Sequence, residues 1–399
     1  MESLKELYKI GPGPSSSHTI GPLRACKRFK QAFSDADRYL VELFGSLSLT
    51  GKGHYTDMIC IKTLEPTPTE VNFHNDFLEA HSNMMYLHAY KNGEEIGFWE
   101  VASIGGGSIR ILNLPKENYE IYKENNFEEI YMYVSEKQIS LFDYVLENEP
   151  DIMEYLEEVW ETMQSSIERG LSRDGVLPGK LKFPRMAKAM YEEALSSSLE
   201  VDKQRNYITA YAFAAAEENA SCNEVVTAPT LGSCGVLPAV LTYYYKNLGY
   251  EKKKILEALA VAGIFGNIVK TNATISGAEG GCQAEIGVAC AMASSAIAYL
   301  YDLPNHMIAN AAEIGIEHHL GLTCDPVGGY VIIPCIERNG VAALRALDNA
   351  HYAKVLGKNK PNFVDFDTVV RTMKNTGMKI PVELKETSLA GLASEVKIY

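Results

Sequence analysis

The chain has 399 residues, 46% of them hydrophobic and 22% charged, a composition typical of globular proteins and a length too great for one ordinary core, so two domains are expected. A formal net charge of −14 argues against nucleic acid or an anionic membrane as partner, because both require a basic face. The opening Met1-Glu2-Ser3-Leu4-Lys5-Glu6-Leu7 carries charge where a signal peptide needs an apolar core, so a cytoplasmic location is expected, and eight cysteines in such a chain suggest metal or catalysis before disulfides.

Taken in chain order, the first distinctive segment is Gly11-Pro12-Gly13-Pro14-Ser15-Ser16-Ser17-His18-Thr19, which crowds hydroxyls and an imidazole ahead of a helical stretch at 22–33. Residues 40–49 are apolar and lean to strand. Residues 84–90 and 97–104 flank Asn92-Gly93, a strong hairpin signal. Gly105-Gly106-Gly107 breaks the chain, and 127–134 reads as a further strand. Composition shifts around 147–151. Beyond that point 151–170, 184–196, 205–220, 252–269, 285–301 and 306–317 show helical periodicity or alanine-rich helix composition. The expected fold is therefore multi-domain: a small α/β domain over 1–145, then a mainly α-helical domain over 146–399. The apolar stretch 286–303 is rich in small residues and reads as a helix buried by its neighbours, not as a membrane span.

Three glycine-rich loops separate the helices, at 227–235, 276–281 and 321–334, and are expected to converge on one site. Cys282, Cys324 and Cys335 stand in or beside the last two. Glycine and proline keep the backbone irregular and leave room beside a sulfur. Three thiolates are one short of a closed tetrahedral zinc site and of a fully ligated iron–sulfur cube, so a metal held there keeps an open position. Their spacing matches neither a zinc ribbon nor the short ferredoxin run, and plain buried cysteines remain an alternative. Cys290 lies mid-helix among Val288, Ala289, Ala291 and Met292 and reads as packing, as do Cys26 and Cys60. Cys222 and Cys234 stay open.

The chain resembles the iron–sulfur-dependent L-serine dehydratases (L-serine ammonia-lyases) in several long, ordered motifs. These are Ser15-Ser16-Ser17-His18-Thr19, then Gly51-Lys52-Gly53-His54 with Thr56-Asp57, and Ser276-Gly277-Ala278-Glu279-Gly280-Gly281-Cys282-Gln283-Ala284-Glu285. Gly321-Leu322-Thr323-Cys324-Asp325-Pro326-Val327-Gly328-Gly329, Ile333-Pro334-Cys335-Ile336-Glu337-Arg338-Asn339 and Lys385-Glu386-Thr387-Ser388 complete the match, which runs from about residue 9 to 392. The resemblance implies fused β-type and α-type domains and a 4Fe–4S cluster on Cys282, Cys324 and Cys335. It implies conversion of L-serine to pyruvate and ammonia, with the open iron as Lewis acid. Some relatives end in a cysteine that caps this iron; Ser394-Glu395-Val396-Lys397-Ile398-Tyr399 contains none.

Removal of the α-proton calls for a base of near-neutral pKa, and the resemblance points to His18 and His54. His54 follows Gly53, which lets the ring approach a ligand, and is expected to be the base, with His18 binding or orienting substrate. Ser15, Ser16, Ser17 and Thr19, at a helix N-terminus, are expected to bind the substrate carboxylate, with Lys52 and Arg338 as further donors. Asn272, Ser276, His319 and the run His81-Ser82-Asn83 are weaker candidates. Threonine, cysteine or a hydroxy acid as substrate is the second enzyme reading, since one methyl changes discrimination by only about 1–3 kcal/mol. A non-catalytic zinc protein with a Cys₃ site is the alternative from another class. A pyridoxal enzyme would need a distinctive lysine, which neither Lys180 nor Lys270 provides. The expected partner is the small-molecule substrate alone, in a homodimer.

Overall fold

The computed structural model describes residues 1–115, 120–358 and 363–397. Its strands are β1 (Ile10–Pro12), β2 (Arg38–Phe44), β3 (Thr69–His74), β4 (Met84–Lys91), β5 (Glu94–Ser103), β6 (Ile109–Ile111) and β7 (Glu224–Val226). Five of them form one sheet in the order β3-β2-β4-β5-β6, in which β2 and β3 are parallel and the other pairs antiparallel. Tyr39, Val41 and Leu43 alternate along β2, so a period of two turns them all to one face. On that face Ala25, Cys26 and Phe29 of the Gly21–Ala32 helix and Cys60 and Leu64 of the Thr56–Leu64 helix close a small core. Cys26 and Cys60 are packing residues there, as expected. Asn92 and Gly93 turn β4 into β5 with φ of 53° and 85°, the backbone that a two-residue hairpin demands.

After Ile111 the described chain is helical apart from β7 and isolated bridges. Residues 127–134 differ from the strand expected: they open the helix Phe127–Lys137, whose N-cap Asn126 accepts from the Glu129 N–H at 2.9 Å. Phe127, Ile130 and Val134 are its buried positions, a three-and-four spacing hidden in a short apolar run. The small-residue stretch forms the helix Ile286–Leu300, packed among Lys252–Asn272, Asn305–Glu317, Cys335–Leu356 and Val236–Thr242. A Cβ on Gly315 would lie 2.7 Å from Ala291 Cα, which shows how closely two of these helices pass. Two helical stretches, Lys252–Asn272 and Cys282–Leu300, are long and apolar enough to cross a membrane, but most of each is buried inside the fold.

The chain begins in the helical layer. Met1, Leu4, Leu7 and Tyr8 belong to its core, and the Tyr8 hydroxyl donates to Leu259 O at 2.9 Å. β1 then pairs antiparallel with β7, and Asn219 Nδ2 donates to Pro14 O at 2.8 Å, which fixes the serine-rich loop onto the helices. The Gly51–His54 turn meets the loop after Cys324 backbone to backbone: a Cβ on Gly53 would lie 2.5 Å from Gly329 O. Gly53→Ala is therefore expected to lower stability by about 1–3 kcal/mol through forced displacement of one backbone. Urea unfolding would measure this, and an unchanged midpoint at unchanged m-value would show that the two loops are not in contact.

Candidate active site

The three expected loops do converge. A cavity is lined by Pro14, Ser15 and His54 from the N-terminal segments, by Gly232, and by Cys282, Cys324 and Cys335, with Glu285 and Glu386 between them. Each cysteine is positioned by its own framework. Gly281, at φ 75°, turns the chain into Cys282 where a Cβ would strike Leu322 O at 2.7 Å. The Gln283 N–H donates to Leu322 O at 3.2 Å, tying this loop to the Cys324 loop. Cys324 is clasped by a C-terminal strap: its N–H donates to Leu384 O at 2.9 Å, and the Glu386 N–H donates to Cys324 O at 2.6 Å. Cys335 opens the helix Cys335–Leu356, and one turn on Arg338 reaches back to donate to Thr323 O at 2.7 Å. Asn339 donates to both Cys335 O and Gly232 O at 2.8 Å.

The donor set suits a positively charged occupant. All three cysteines are buried and none is in a disulfide. Cys282 Sγ, Cys324 Sγ and a Glu285 carboxylate oxygen lie within 4.8 Å of one another. The proximity of Cys282 and burial push the Cys324 thiol well up, and burial followed by Cys282 does the same for Cys335. Burial and the neighbouring acids Glu285 and Cys282 raise Glu386, and burial raises Glu285. Burial opposes the Arg338 charge, yet Cys282 and Cys335 beside it hold the guanidinium protonated. Such a cluster of buried acidic groups is what a metal or cluster cation would discharge.

His18 and His54 are fully buried and stacked, with ring centroids 4.4 Å apart. Their hydrogen bonds assign opposite tautomers. Ser46 Oγ donates to Glu386 O at 2.6 Å, and Thr50 Oγ1 donates to Ser46 O at 3.0 Å. Both hydroxyls therefore accept from His18 Nε2–H, at 3.1 and 3.0 Å. His18 Nδ1 is left as acceptor, 3.0 Å from Ser17 Oγ and 3.4 Å from Glu386 Oε1. His54 is reversed: its Nδ1–H donates to Thr50 O at 2.9 Å, so Nε2 holds a lone pair. That Nε2 has no hydrogen-bond partner, and the residue lines the cavity. Burial lowers the His54 pKa to about 4; burial and then His54 lower that of His18. Both rings are neutral at pH 7.

The other expected residues fall in several places. Ser15 lines the cavity and caps the following turn, its Oγ accepting from the His18 N–H at 3.2 Å. Ser16 and Ser17 are buried in that turn. Thr19 Oγ1 donates to His54 O at 3.1 Å, a bond that holds the histidine loop. The Lys52 side chain is 72% exposed and paired with Asp57, outside the cavity lining. Asn272 donates to Asn125 O and Ile268 O, and His319 Nδ1 to Gly315 O at 2.7 Å, all outside the lining. His81 faces Glu279 at 3.0 Å, while the buried Asn83 side chain and Ser276 Oγ have no protein partner. Cys234 packs with Ile20, Val225 and Leu231, and Cys290 Sγ meets Ala342 O, so neither lines the cavity. Glu285 and Glu386 are the residues that the sequence reading passed over. Both lie within recognised motifs, but no spacing marks a carboxylate as facing two imidazoles.

The histidine pKa values make the protein acid-sensitive. An unfolded histidine titrates near 6.5 and His54 near 4, so between these values the unfolded chain binds more protons and stability falls as pH falls. In metal-free protein about 3 kcal/mol is expected to be lost through His54 alone. NMR titration of its ring checks this; a midpoint above 6 would mean that the ring is not sealed from solvent.

Comparison with known proteins identifies the family. The serine dehydratase beta chain family model matches residues 3–72, and the serine dehydratase alpha chain model matches residues 76–393. The chain is 38% identical to L-serine dehydratase 1 of Escherichia coli over the whole of both proteins. It is 37% identical to the L-serine dehydratases of Haemophilus influenzae and Streptomyces coelicolor over 99% of each chain. Two family regions fused in one polypeptide, and similarity that spans the full length of such relatives, place this chain in the serine dehydratase family.

Proposed function

We propose that the protein deaminates L-serine to pyruvate and ammonia, with a 4Fe–4S cluster held by Cys282, Cys324 and Cys335. The observation that carries this reading is the pairing, across one cavity, of three convergent cysteines with a neutral histidine whose Nε2 lone pair is unpartnered. When bound, a cluster with one iron free of cysteine supplies a Lewis acid for the departing hydroxyl. The protein supplies the rest. His54 Nε2 accepts the α-proton, and the Thr50 carbonyl that holds its Nδ1–H stabilises the imidazolium that results. Ser15 and the first turn of the following helix offer donors for the substrate carboxylate. His18, locked between Ser46, Thr50 and Ser17, orients the His54 ring by stacking. Loss of water from serine gives aminoacrylate, which tautomerises to the imine and hydrolyses to pyruvate and ammonia.

One observation favours a second reading. The free space between these side chains is about 20 Å³, room for a single ion without rearrangement, and Cys282, Glu285 and Cys324 already approach within 4.8 Å. A single zinc on these groups would polarise the same hydroxyl but would give a colourless protein.

Anaerobic reconstitution with iron and sulfide, followed by L-serine and assay of pyruvate, separates the two. A brown, iron-dependent enzyme is expected, inactive as Cys282→Ala, Cys324→Ala or Cys335→Ala. A colourless protein active with one zinc would overturn the cluster. His54→Asn is expected to keep the visible spectrum and lose about 10²–10⁴-fold in kcat. Retention of wild-type kcat would remove His54 as base.

A further inference from the structure

The glycine loop at 227–235 reaches the cavity without bringing a cysteine to it: Cys234 packs with Ile20, Val225 and Leu231, and Gly232 is the residue by which the loop lines the space. What the loop contributes is a hydroxyl. Thr230 is buried, and its Oγ1 donates to Glu285 Oε1 at 2.8 Å. That bond fixes one carboxylate oxygen and leaves the other, Oε2, turned to the thiols, 3.7 Å from Cys324 Sγ. Two glycines give the carboxylate its room. A Cβ on Gly232 would lie 3.1 Å from Oε1, and one on Gly277 would lie 2.6 Å from Oε2.

Local backbone geometry places Glu285 beside a cysteine. Residues Cys282–Ala284 form a single 3₁₀ turn that Glu285 ends, its N–H donating to Cys282 O at 3.1 Å. At about three residues per turn, positions 282 and 285 fall on one face. Cys282 Sγ, a Glu285 oxygen and Cys324 Sγ accordingly lie within 4.8 Å of one another. The imidazoles belong to a different set. His18, His54 and Glu386 approach one another within the same limit, and Glu386 Oε1 is 3.4 Å from His18 Nδ1. Among the described residues, Glu285 is therefore the oxygen donor grouped with the thiols, and Glu386 the one grouped with the rings.

Three thiolates leave one corner of a cluster without a protein ligand. A carboxylate whose second oxygen is held by a hydroxyl is oriented as metal-binding carboxylates are, by a partner behind the ligand. We propose that Glu285, through Oε2, is the fourth protein ligand of the cluster when no substrate is bound, with Thr230 as its positioning residue. This rests on the cluster of the proposed function and adds a resting ligand to it. Substrate oxygen then replaces one oxygen donor by another, with no change of oxidation state. The loop that carries no cysteine acquires a role by the same step, since it holds the carboxylate that substrate displaces.

The test follows the fourth iron and not the turnover. Full-length wild type, Glu285→Gln, Thr230→Val and Glu386→Gln are reconstituted anaerobically with iron and sulfide, assayed for both, and checked for folding by circular dichroism. Each is then treated with ferricyanide, which takes one electron from the cluster and releases one iron(II), and the paramagnetic 3Fe–4S product is followed by electron paramagnetic resonance. Iron loss is expected to be at least roughly tenfold faster in Glu285→Gln and about tenfold faster in Thr230→Val, with Glu386→Gln within about twofold of wild type. If Glu285→Gln takes up no cluster, the rate in Thr230→Val decides. Full iron content with wild-type rates in Glu285→Gln and Thr230→Val would overturn the proposal and leave the cluster standing. Equal acceleration in Glu285→Gln and Glu386→Gln would overturn the assignment to Glu285. A wild-type protein that takes up no iron and sulfide would overturn the cluster itself, and this proposal with it.

Discussion

One backbone contact governs the site. The Gly51–His54 turn and the Gly328–Gly329 turn meet where neither could carry a Cβ at Gly53, and this contact brings a histidine from the sheet-bearing part to a cavity walled by cysteines from the helical part. Reciprocal bonds then fix both rings. Thr19 Oγ1 donates to His54 O, while Thr56 Oγ1 donates to His18 O at 2.8 Å, so each histidine loop is held by a threonine from the other. Ser46 Oγ closes the same seam from the opposite side by bonding Glu386 O in the C-terminal strap. Two imidazoles lose hydration at this seam, and desolvation is the largest reason why both are neutral.

The cysteine side carries the complementary strain. Burial favours the acid forms of Glu285 and Glu386, with Glu285 and Cys282 adding to the effect on Glu386; the nearby Cys282 and then burial favour that of Cys324, and burial and then Cys282 that of Cys335, while Arg338 is the guanidinium set among the thiols. Cys234 and Cys290 elsewhere in the chain are also raised by burial, and Arg345 and Asp348 act on Cys290, but their thiols meet the backbone carbonyls of Ala215 and Ala342 and not a second thiol. A cationic occupant would release protons from the first group and do nothing for the second. Burial alone therefore does not distinguish the three cysteines at the cavity; their convergence on one space with Glu285 and Glu386 does.

Sequence made some of this legible and concealed the rest for identifiable reasons. The Asn92-Gly93 hairpin, the small-residue helix and the convergence of three glycine loops could all be read because each depends on local backbone chemistry. The strand expected at 127–134 failed because the short apolar run 130–134 fits either period, and the Asn126 cap that decides it precedes the run. The place of residues 1–8 in the helical core is a choice between two cores, which composition does not encode. Among the residues that gather at the candidate site, motif and loop context singled out the three cysteines, His54 and Ser15, which line its cavity, and His18, which stacks on His54; their roles belong to the proposal. Thr19 and Lys52 show the limit of that reading, since one donates to a backbone carbonyl and the other points to solvent. Glu386 was hidden because its meaning lies in a tertiary approach of 3.4 Å to His18 Nδ1 across some 370 residues of chain.

The two stacked histidines are chemically distinct because one residue addresses both. Thr50 accepts from His54 Nδ1–H through its carbonyl and from His18 Nε2–H through its hydroxyl, whose own proton is fixed on Ser46 O. The result is that equivalent nitrogens carry a proton in one ring and a lone pair in the other. His18 has partners on both nitrogens and can neither take nor release a proton without breaking a buried bond. His54 has one satisfied nitrogen and one without a hydrogen bond, 4.0 Å from Glu386 Oε1, in a residue that walls the cysteine cavity. A proton can therefore be accepted at His54 with no loss of an existing bond, and the direction of two threonine bonds is what supports the proposal of His54 as the base.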